Sequence, residues 1–177
     1  MAGMPLIAMQ SYRTPSQARA MQATSQTHGM YGFLDLTVSQ YMTRAVKVVA
    51  PDTTLAELER LFEHHDYNSF PVVEATAMVG LVSKFDFLKA FIFTTAQIVP
   101  HYDELMRRTV RDVMATTVVH VEPRMPLTRV LELMVDRRSR SFPVINGEEG
   151  LVGMIAREDV MRALRDAAGG SAAKPLS

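Results

Sequence analysis

One pattern of residues occurs twice in this chain, at a spacing that changes by a single residue along its length. Ser69–Val72 matches Ser141–Val144 at an offset of 72, and Gly80–Asp86 matches Gly153–Asp159 at an offset of 73. One extra residue in the second copy, within residues 146–150, explains the change of offset. Internal repetition constrains a fold more than any local signal does, and two copies are too few for a solenoid. The sequence therefore predicts a pair of pseudo-symmetric units.

Each unit is predicted to contain three strands and two helices in the order βαββα. The first strands are the β-branched runs Val46–Val49 and Val118–Val121, and each run ends close to a proline. Thr54 and Glu57 fit a capping box that starts the first helix. Alternation and helical periodicity predict the other elements of the first copy as strands 70–73 and 79–82 and a helix from residue 86 to about residue 93. These elements together predict an α/β (α+β) fold.

The repeat divides the chain into five segments. We expect an N-terminal extension over residues 1–36, which show little periodicity. The first repeat is expected at 37–93 and the second at 110–168, with a linker at 94–109. Residues 169–177 contain a glycine pair and a late proline-containing stretch, and are expected to form a C-terminal tail.

The overall composition narrows the classes of function. With 19 basic and 19 acidic residues among 177, the formal net charge is zero, which argues against a high-affinity nucleic-acid surface. The absence of cysteine excludes disulfides, thiolate metal sites and a cysteine nucleophile. No apolar run approaches the length of a membrane span, and residues 5–9 lack the basic flank of a secretory signal. These features favour a cytoplasmic protein with no membrane partner.

A hydroxyl and a carboxylate stand at a predicted strand-to-helix junction in the first copy. Ser83 and Asp86 are three residues apart, so both side chains lie on one face at the start of the helix. Such a junction presents unpaired backbone N–H groups to an anion, and a carboxylate can accept hydrogen bonds from a sugar diol. Alternatively, the two residues only cap the helix. Both interpretations remain open at this stage.

The two copies together resemble a tandem pair of cystathionine β-synthase domains, known as a CBS pair or Bateman module. In the first copy the resemblance rests on Met42–Pro51, Ser69–Val73 and Gly80–Asp86, and it extends over about residues 36–168. In that family, two βαββα units pack sheet to sheet about a pseudo-twofold axis, and two clefts form between them. The clefts commonly bind AMP, ADP, ATP or S-adenosylmethionine, and the module usually regulates another protein and often dimerises.

The resemblance places one expected cleft at the junction in the first copy. In the family, the hydroxyl and carboxylate of this junction hold phosphate and ribose, so Ser83 and Asp86 are expected to do so here. Guanidinium groups suit phosphate oxygens, so Arg138 and Arg140 are expected near the phosphate. Alternatively, this basic run is a solvated helix end. The other residues expected to line the cleft are Lys84, Thr117, Val118, Val119, Ser139 and Ser141.

The resemblance places a second cleft at the junction in the second copy, around Asp159. Ala156 stands where the pattern has a hydroxyl, so one hydrogen-bond donor is missing, and Arg157 and Lys47 are the residues that could compensate. The two clefts are therefore expected to be unequal, with the one around Asp86 the stronger. The other residues expected to line the second cleft are Ala45, Val46, Tyr67, Asn68 and Ser69.

The resemblance implies a regulatory protein that senses an adenine nucleotide and modulates an unidentified partner protein. AMP, ADP or ATP is the expected ligand, and S-adenosylmethionine and NAD are alternatives because they share the adenosine group. No obligatory cofactor, metal site or catalytic residue is expected. The alternative function is a dimerisation or scaffold module whose clefts stay empty. We expect a homodimer, formed through apolar helix faces that include Phe87, Phe91, Val160 and Leu164.

Overall fold

From Val38 and from Val110 onward, the two halves of the chain fold into the same succession of helical and strand elements. The computed structural model describes residues 31–92, 101–147 and 149–169. The first half contains helices α1 (Val38–Tyr41) and α2 (Leu55–His64), strands β1 (Ser69–Glu74) and β2 (Ala77–Ser83), and helix α3 (Lys84–Lys89). The second half contains α4 (Tyr102–Met106), a 3-10 turn (Val110–Asp112), α5 (Leu127–Asp136), β3 (Ser141–Asn146), β4 (Gly150–Ala156) and α6 (Arg157–Ala167). These helices and small antiparallel sheets confirm the predicted α+β class.

The repeat holds at the level of single backbone pairs. In each half the two strands pair antiparallel, with Val72 opposite Gly80 in one hairpin and Val144 opposite Gly153 in the other. A bulge follows Val72 and another follows Val144, so the register slips at the same place in both hairpins. The two offsets read from the sequence therefore relate the two hairpins residue by residue.

Helix α2 begins with the predicted capping box. The backbone N–H of Glu57 donates to Thr54 Oγ1 over 3.2 Å, and the backbone N–H of Thr54 donates to Glu57 Oε2 over 2.9 Å. These two bonds satisfy N–H groups that the first turn of a helix leaves without intrahelical partners. Leu55 and Leu58 on the opposite face of the helix are fully buried.

The predicted first strand of each unit is wrong, because each is reduced to one parallel bridge. Val49 donates its N–H to the carbonyl of Pro71 and accepts from the N–H of Val73, and no further pair forms between the segments. Extending this ladder in one direction needs an N–H at residue 71, and in the other direction an N–H at residue 51. Both residues are proline, which has no N–H to donate. Val121 makes the equivalent single bridge to Val144, between Pro123 and Pro143.

Two antiparallel backbone bridges join the units to each other. Thr43 exchanges two backbone hydrogen bonds with Met154, over 2.8 and 2.9 Å, and Ala115 exchanges two with Leu81, both over 2.9 Å. Residues 43 and 115 are equivalent positions of the repeat, and so are residues 81 and 154. The two bridges therefore join equivalent positions, with the two units exchanged. Contacts that exchange in this way identify a pseudo-twofold relation between the units.

Each hydrophobic core is completed by residues that lie at the start of the other unit or just before it. Val38 and Met42, which lead into the first unit, are buried with Leu127, Phe142 and other residues of the second. The residues that lead into the second unit are likewise buried against the first, as Met106 and Val110 pack with Leu55, Leu58, Phe70 and Val82. Neither unit therefore has a complete core of its own.

The apolar helix residues expected to face a second copy have other roles. Val160 is 2% exposed and belongs to the core of the second unit, against which Leu164 also packs. Phe87 and Phe91 pack against the core of the first unit. The prediction is therefore wrong for Val160, because the core of the second unit already buries it. Phe87, Phe91 and Leu164 are only partly buried, so their part in an interface stays a prediction.

Several predictions fall outside the described residues. These are the greater part of the N-terminal extension, the residues around Pro100 in the linker, and the tail beyond residue 169. The helix predicted from residue 86 to about residue 93 is wrong in its bounds, because α3 spans Lys84–Lys89. The N–H groups of residues 90–92 donate to carbonyls three residues earlier, which makes turns and not a continued α-helix. The repeat boundaries at 37–93 and 110–168 stay predictions. Among the residues that the structure does describe, no helix combines the length and the apolar character needed to cross a membrane.

Gly80 and Gly153 lie beside the two antiparallel bridges, and a Cβ atom at either glycine would collide with the backbone of the other unit. At Gly80 it would lie 2.8 Å from the carbonyl oxygen of Ala115 and 2.9 Å from Met114 Sδ, and Gly153 has equivalent clashes. We predict that Gly80→Ala lowers the free energy of unfolding by about 1–3 kcal/mol, the range for overpacking. Gly147→Ala is the control, because no atom lies within 4 Å of its added Cβ. Urea unfolding measures both; equal stability of the two variants would contradict the crossing geometry.

Candidate functional site

Two cavities lie on either side of the contact between the units, and polar residues at the pseudo-twofold axis separate them. Ser69 Oγ and Ser141 Oγ are 2.9 Å apart, and Arg140 Nη1 donates to Asn68 Oδ1 over 3.0 Å. The members of each pair are 72 residues apart, so they are equivalent positions of the repeat. All four residues line both cavities. A ligand in either cavity therefore touches the same shared wall.

The Asp159 cavity, as we name the first, has a volume of about 440 Å³. It brings together the residues that the sequence grouped around Asp159, contributed by the segment before α2, the segment before β1 and the start of α6. Their role in binding a ligand stays a prediction. The predicted residues that line the cavity are Ala45, Val46, Lys47, Tyr67, Asn68, Ser69 and Asp159, joined by Thr43, Asp66, Pro71, Arg140, Ser141, Met154, Ala156 and Glu158.

The Asp86 cavity, the second, has a volume of about 550 Å³. Here the start of α3 faces the end of α5 and the loop that follows it. The predicted residues that line it are Ser83, Lys84, Asp86, Arg138, Ser139, Arg140 and Ser141, joined by Asn68, Ser69, Leu81, Phe85, Leu88 and Arg137.

Three predicted residues of the Asp86 cleft do not line this cavity. Val118 lines a separate cavity of about 260 Å³ with Thr116 and His120, and Thr117 and Val119 line neither of the two large cavities. Side chains alternate along an extended segment, so residues 116, 118 and 120 share one side of the chain. The prediction that this segment lines the Asp86 cavity is therefore wrong for all three residues.

Arg157 is also not where we expected it. Its Nε donates to the carbonyl oxygen of Ser139 over 2.9 Å, and the side chain does not line the Asp159 cavity. It ties the start of α6 to the loop after α5 and does not replace the missing hydroxyl of Ala156. Lys47, the other expected compensating residue, does line the cavity.

Ser83 and Asp86 form a complete capping box at the start of α3. The N–H of Asp86 donates to Ser83 Oγ over 3.2 Å, while Asp86 Oδ2 accepts from the Ser83 N–H over 3.0 Å and from Ser83 Oγ over 2.5 Å. Lys89 Nζ donates to Asp86 Oδ1 over 2.9 Å. Burial alone raises the pKa of Asp86, but the bonds from Ser83 and Lys89 outweigh it and lower the pKa below its usual 3.8. The carboxylate is therefore charged at neutral pH and caps the helix.

Asp159 has half of this arrangement. Its Oδ2 accepts from the N–H of Ala156 over 2.9 Å, but the methyl group of Ala156 cannot return a hydrogen bond. Its Oδ1 accepts from Arg162 over 2.7 Å, and Arg162 also donates to the carbonyl oxygen of Tyr41 over 2.9 Å. Asp159 is only 6% exposed, so this pairing keeps a buried charge satisfied.

Comparison with known proteins accounts for the duplicated arrangement. The family model described as "CBS domain" matches the chain twice, over residues 38–92 and 110–166. The chain belongs to the CBS-domain family. The resemblance inferred from the repeat is thus confirmed, and the two units are CBS repeats.

Relatives of the CBS pair share its fold at low sequence identity. The protein MJ0188 of Methanocaldococcus jannaschii is 30% identical over 129 residues, which is 73% of this chain, and the chain spans only 44% of MJ0188. The crystal structure of CBSX2 in complex with AMP has a TM-score of 0.62 at 24% identity and covers 73% of this chain and 96% of CBSX2. The CBS domain pair of MJ0100, in complex with 5′-methylthioadenosine and S-adenosyl-L-methionine, has a TM-score of 0.59 at 19% identity, covering 72% and 94% of the two chains.

The two CBS repeats differ in the remaining hydrogen-bonding capacity of their carboxylates. A carboxylate has about four lone-pair positions. Within the described residues, Asp86 accepts three hydrogen bonds, two of them from Ser83, whereas Asp159 accepts two. The missing hydroxyl at Ala156 therefore has a second effect that the sequence did not suggest. It leaves Asp159 with more room to accept hydrogen bonds from a ligand.

The sequence missed several residues that line the cavities. Asp66 is the repeat equivalent of Arg138, so the offset of 72 pointed to it, although its opposite charge hid the relation. Arg137 and Glu158 directly adjoin predicted residues, but adjacency gives no indication of which cavity a side chain lines. Only the tertiary structure assigns them, since it places the end of α5 across one cavity from α3, and the start of α6 beside the other cavity with the segment before α2.

A reciprocal pair of substitutions isolates the role of the hydroxyl as a helix cap. We predict that Ser83→Ala lowers the free energy of unfolding by about 1 kcal/mol, because it removes the acceptor for the N–H of Asp86. Ala156→Ser should raise it by a similar amount, since it completes the second capping box. Thermal unfolding should show opposite shifts of roughly 2–4 °C. Shifts of the same sign would mean that the two CBS repeats do not use equivalent caps.

Proposed function

We propose that this CBS pair is a regulatory module that binds adenosine-containing ligands in its two cavities and passes their occupancy to a partner protein. The observation that carries the proposal is the placement, in each cavity, of a helix-capping carboxylate from one repeat opposite polar residues of the other, which include a cationic side chain. The complexes of CBSX2 with AMP and of MJ0100 with adenosine derivatives support the choice of ligand, since the same fold holds them.

The chemistry of the Asp86 cavity suits a phosphorylated adenosine. Ribose hydroxyls donate hydrogen bonds to a carboxylate, and the low pKa of Asp86 keeps it an acceptor at neutral pH. Arg140 offers a planar guanidinium that can bind phosphate oxygens through two parallel bonds. Leu81, which also lines the cavity, provides apolar surface for the adenine ring. We therefore propose that AMP, ADP or ATP binds first in this cavity.

The polar wall that the two cavities share provides a way for ligand binding to change the contact between the repeats. The pairs Ser69–Ser141 and Asn68–Arg140 join the two CBS repeats at their contact, and a phosphate that binds Arg140 competes with Asn68 for the same guanidinium. A ligand that binds one arrangement of this contact better than another shifts the population of arrangements by its differential affinity. We propose that the partner protein responds to this change, which would make the module a sensor of the adenine-nucleotide pool.

An adenosine ligand should be detectable by stability alone. Ligand at a hundred times its dissociation constant stabilises the native state by about 2.7 kcal/mol. For a chain of this size, that gain raises the melting temperature by roughly 5–10 °C. The alternative function, a scaffold module with empty cavities, predicts no shift with any adenosine compound. An enzyme would consume the nucleotide during a long incubation, and we propose that this chain does not.

Replacement of each carboxylate tests the assignment of the ligand to a cavity. We predict that Asp86→Ala raises the dissociation constant for AMP and ATP roughly ten- to a hundredfold, the loss expected for hydrogen bonds to a charged group. Asp159→Ala should have the smaller effect. Isothermal titration calorimetry well below the melting temperature separates affinity from the loss of a cap. If Asp86→Ala binds like the wild type, or Asp159→Ala is the more impaired, the assignment is wrong.

We also propose that two copies of the chain associate through their exposed apolar helix residues. Leu88 on α3 is 60% exposed and Met161 on α6 is 56% exposed, and the two occupy equivalent positions in the CBS repeats. A twofold dimer can bury both at once, because the pseudo-twofold axis of each chain relates them. Phe85, next to Leu88 along the helix, is 67% exposed and extends the apolar surface.

Light scattering tests the dimer. We predict a dimer at micromolar concentration for the wild type and a monomer for the double variant Leu88→Glu, Met161→Glu, because two buried charges oppose each other across the interface. Neither residue belongs to a core, so the variant should keep its far-ultraviolet circular dichroism. A monomeric wild type, or a double variant that stays dimeric, would show that these helices are not the interface.

A further inference from the structure

Cationic side chains predominate around the Asp86 cavity, whereas carboxylates predominate around the Asp159 cavity. Among the described residues, four cationic side chains line the Asp86 cavity, and its one carboxylate is Asp86 itself. The Asp159 cavity has three carboxylates and two cationic side chains, one of them the shared Arg140. The cationic residues of the Asp86 cavity are Lys84, Arg137, Arg138 and Arg140, and the carboxylates of the Asp159 cavity are Asp66, Glu158 and Asp159.

One of these arginines occupies a backbone conformation that favours glycine. Arg138 has φ of 51°, in the left-handed region, where L-residues other than glycine are disfavoured. It ends α5 in a Schellman motif, in which the N–H of Arg138 donates to the carbonyl of Val135 and the N–H of Ser139 to that of Met134. Helix termination alone would be served better by glycine at this position. The side chain of Arg138 therefore costs stability where it stands, beside the Asp86 cavity.

We propose that the two cavities sort adenosine ligands by charge, and that Arg138 is a specificity-determining residue of the Asp86 cavity. The cationic Asp86 cavity takes adenosine that carries one or more phosphates. The Asp159 cavity takes adenosine derivatives without phosphate, because its carboxylates repel phosphate and Asp159 retains more capacity to accept from a ribose diol. This inference rests on the proposed function, and it assigns a different ligand class to each CBS repeat.

The test compares Arg138→Gly with wild type by calorimetric titration with ATP, AMP, adenosine and tripolyphosphate. We expect the variant to bind ATP roughly ten- to a hundredfold more weakly, as for the loss of a charge-assisted hydrogen bond. Its affinity for adenosine should stay within about twofold of the wild-type value, because adenosine carries no phosphate for Arg138 to bind. Because glycine suits the left-handed conformation, its melting temperature should not fall.

Ala75→Gly is the matched control for the backbone. Ala75 is the other non-glycine residue with positive φ in the described part of the chain, at 55°, and lies in the exposed turn between β1 and β2. It lines neither cavity, so this variant should bind every ligand as wild type does. A loss of ATP affinity in both glycine variants would overturn the proposal, since it would trace the effect to the backbone.

The second arm locates the unphosphorylated ligand. Asp159→Ala should weaken adenosine binding at least tenfold and leave ATP affinity within about twofold, the reverse of Arg138→Gly. Equal effects of both variants on both ligands would overturn the sorting of ligands by charge. If tripolyphosphate binds the wild type as tightly as ATP does, the Asp86 cavity does not require adenosine, and the proposal is overturned.

Failure of this inference is separable from failure of the proposed function. If the wild type binds neither ATP nor adenosine, the proposed function itself is wrong. If the wild type binds ATP and Arg138→Gly binds it equally well, the proposed function stands and the role of Arg138 falls. The affinity of the wild type for ATP should also weaken as the salt concentration rises, because the cavity is open to solvent and its charges are screened.

Discussion

The contact on which the rest of this structure depends is the close backbone approach at two equivalent glycines. Gly80 and Gly153 lie where a hairpin of one CBS repeat touches the segment that leads into the other, and a methyl group would not fit at either place. The antiparallel bridges beside them bring the loops of one repeat to the helix start of the other. Both cavities, the shared polar wall and the exchanged core residues all follow from this approach.

The repeated spacing predicted most of the fold, because the same local signals occur twice. The two hairpins, and the start of α2 at the capping box of Thr54 and Glu57, were present in the sequence. The first strands failed because β propensity describes a segment alone, whereas a ladder needs donors on both sides. Pro51 and Pro71 remove two of those donors, and their positions matter only once Val49 is known to pair beside Pro71.

The site was predictable where it is built from the motif itself, and less so where it depends on tertiary packing. Ser83, Asp86 and Asp159 lie at helix starts that the pattern fixes, and most residues assigned to the Asp159 cavity do line it. Arg157 and Val118 were misplaced because their neighbours come from distant parts of the chain. Val160 was misassigned for the same reason, since one-dimensional periodicity cannot distinguish a core from an interface.

The exchange of core residues between the repeats has a consequence for how such a chain can change over time. Once a duplicated unit depends on its twin to cover its core, deleting either copy exposes Leu55 and Phe70, or their counterparts, to water. The duplication therefore cannot be reversed by losing one half. Few substitutions fit around Gly80 and Gly153, but residues that line the two cavities can differ between the repeats, as Asp66 and Arg138 do. The shared core thus keeps the two repeats together while the residues that line each cavity are free to differ.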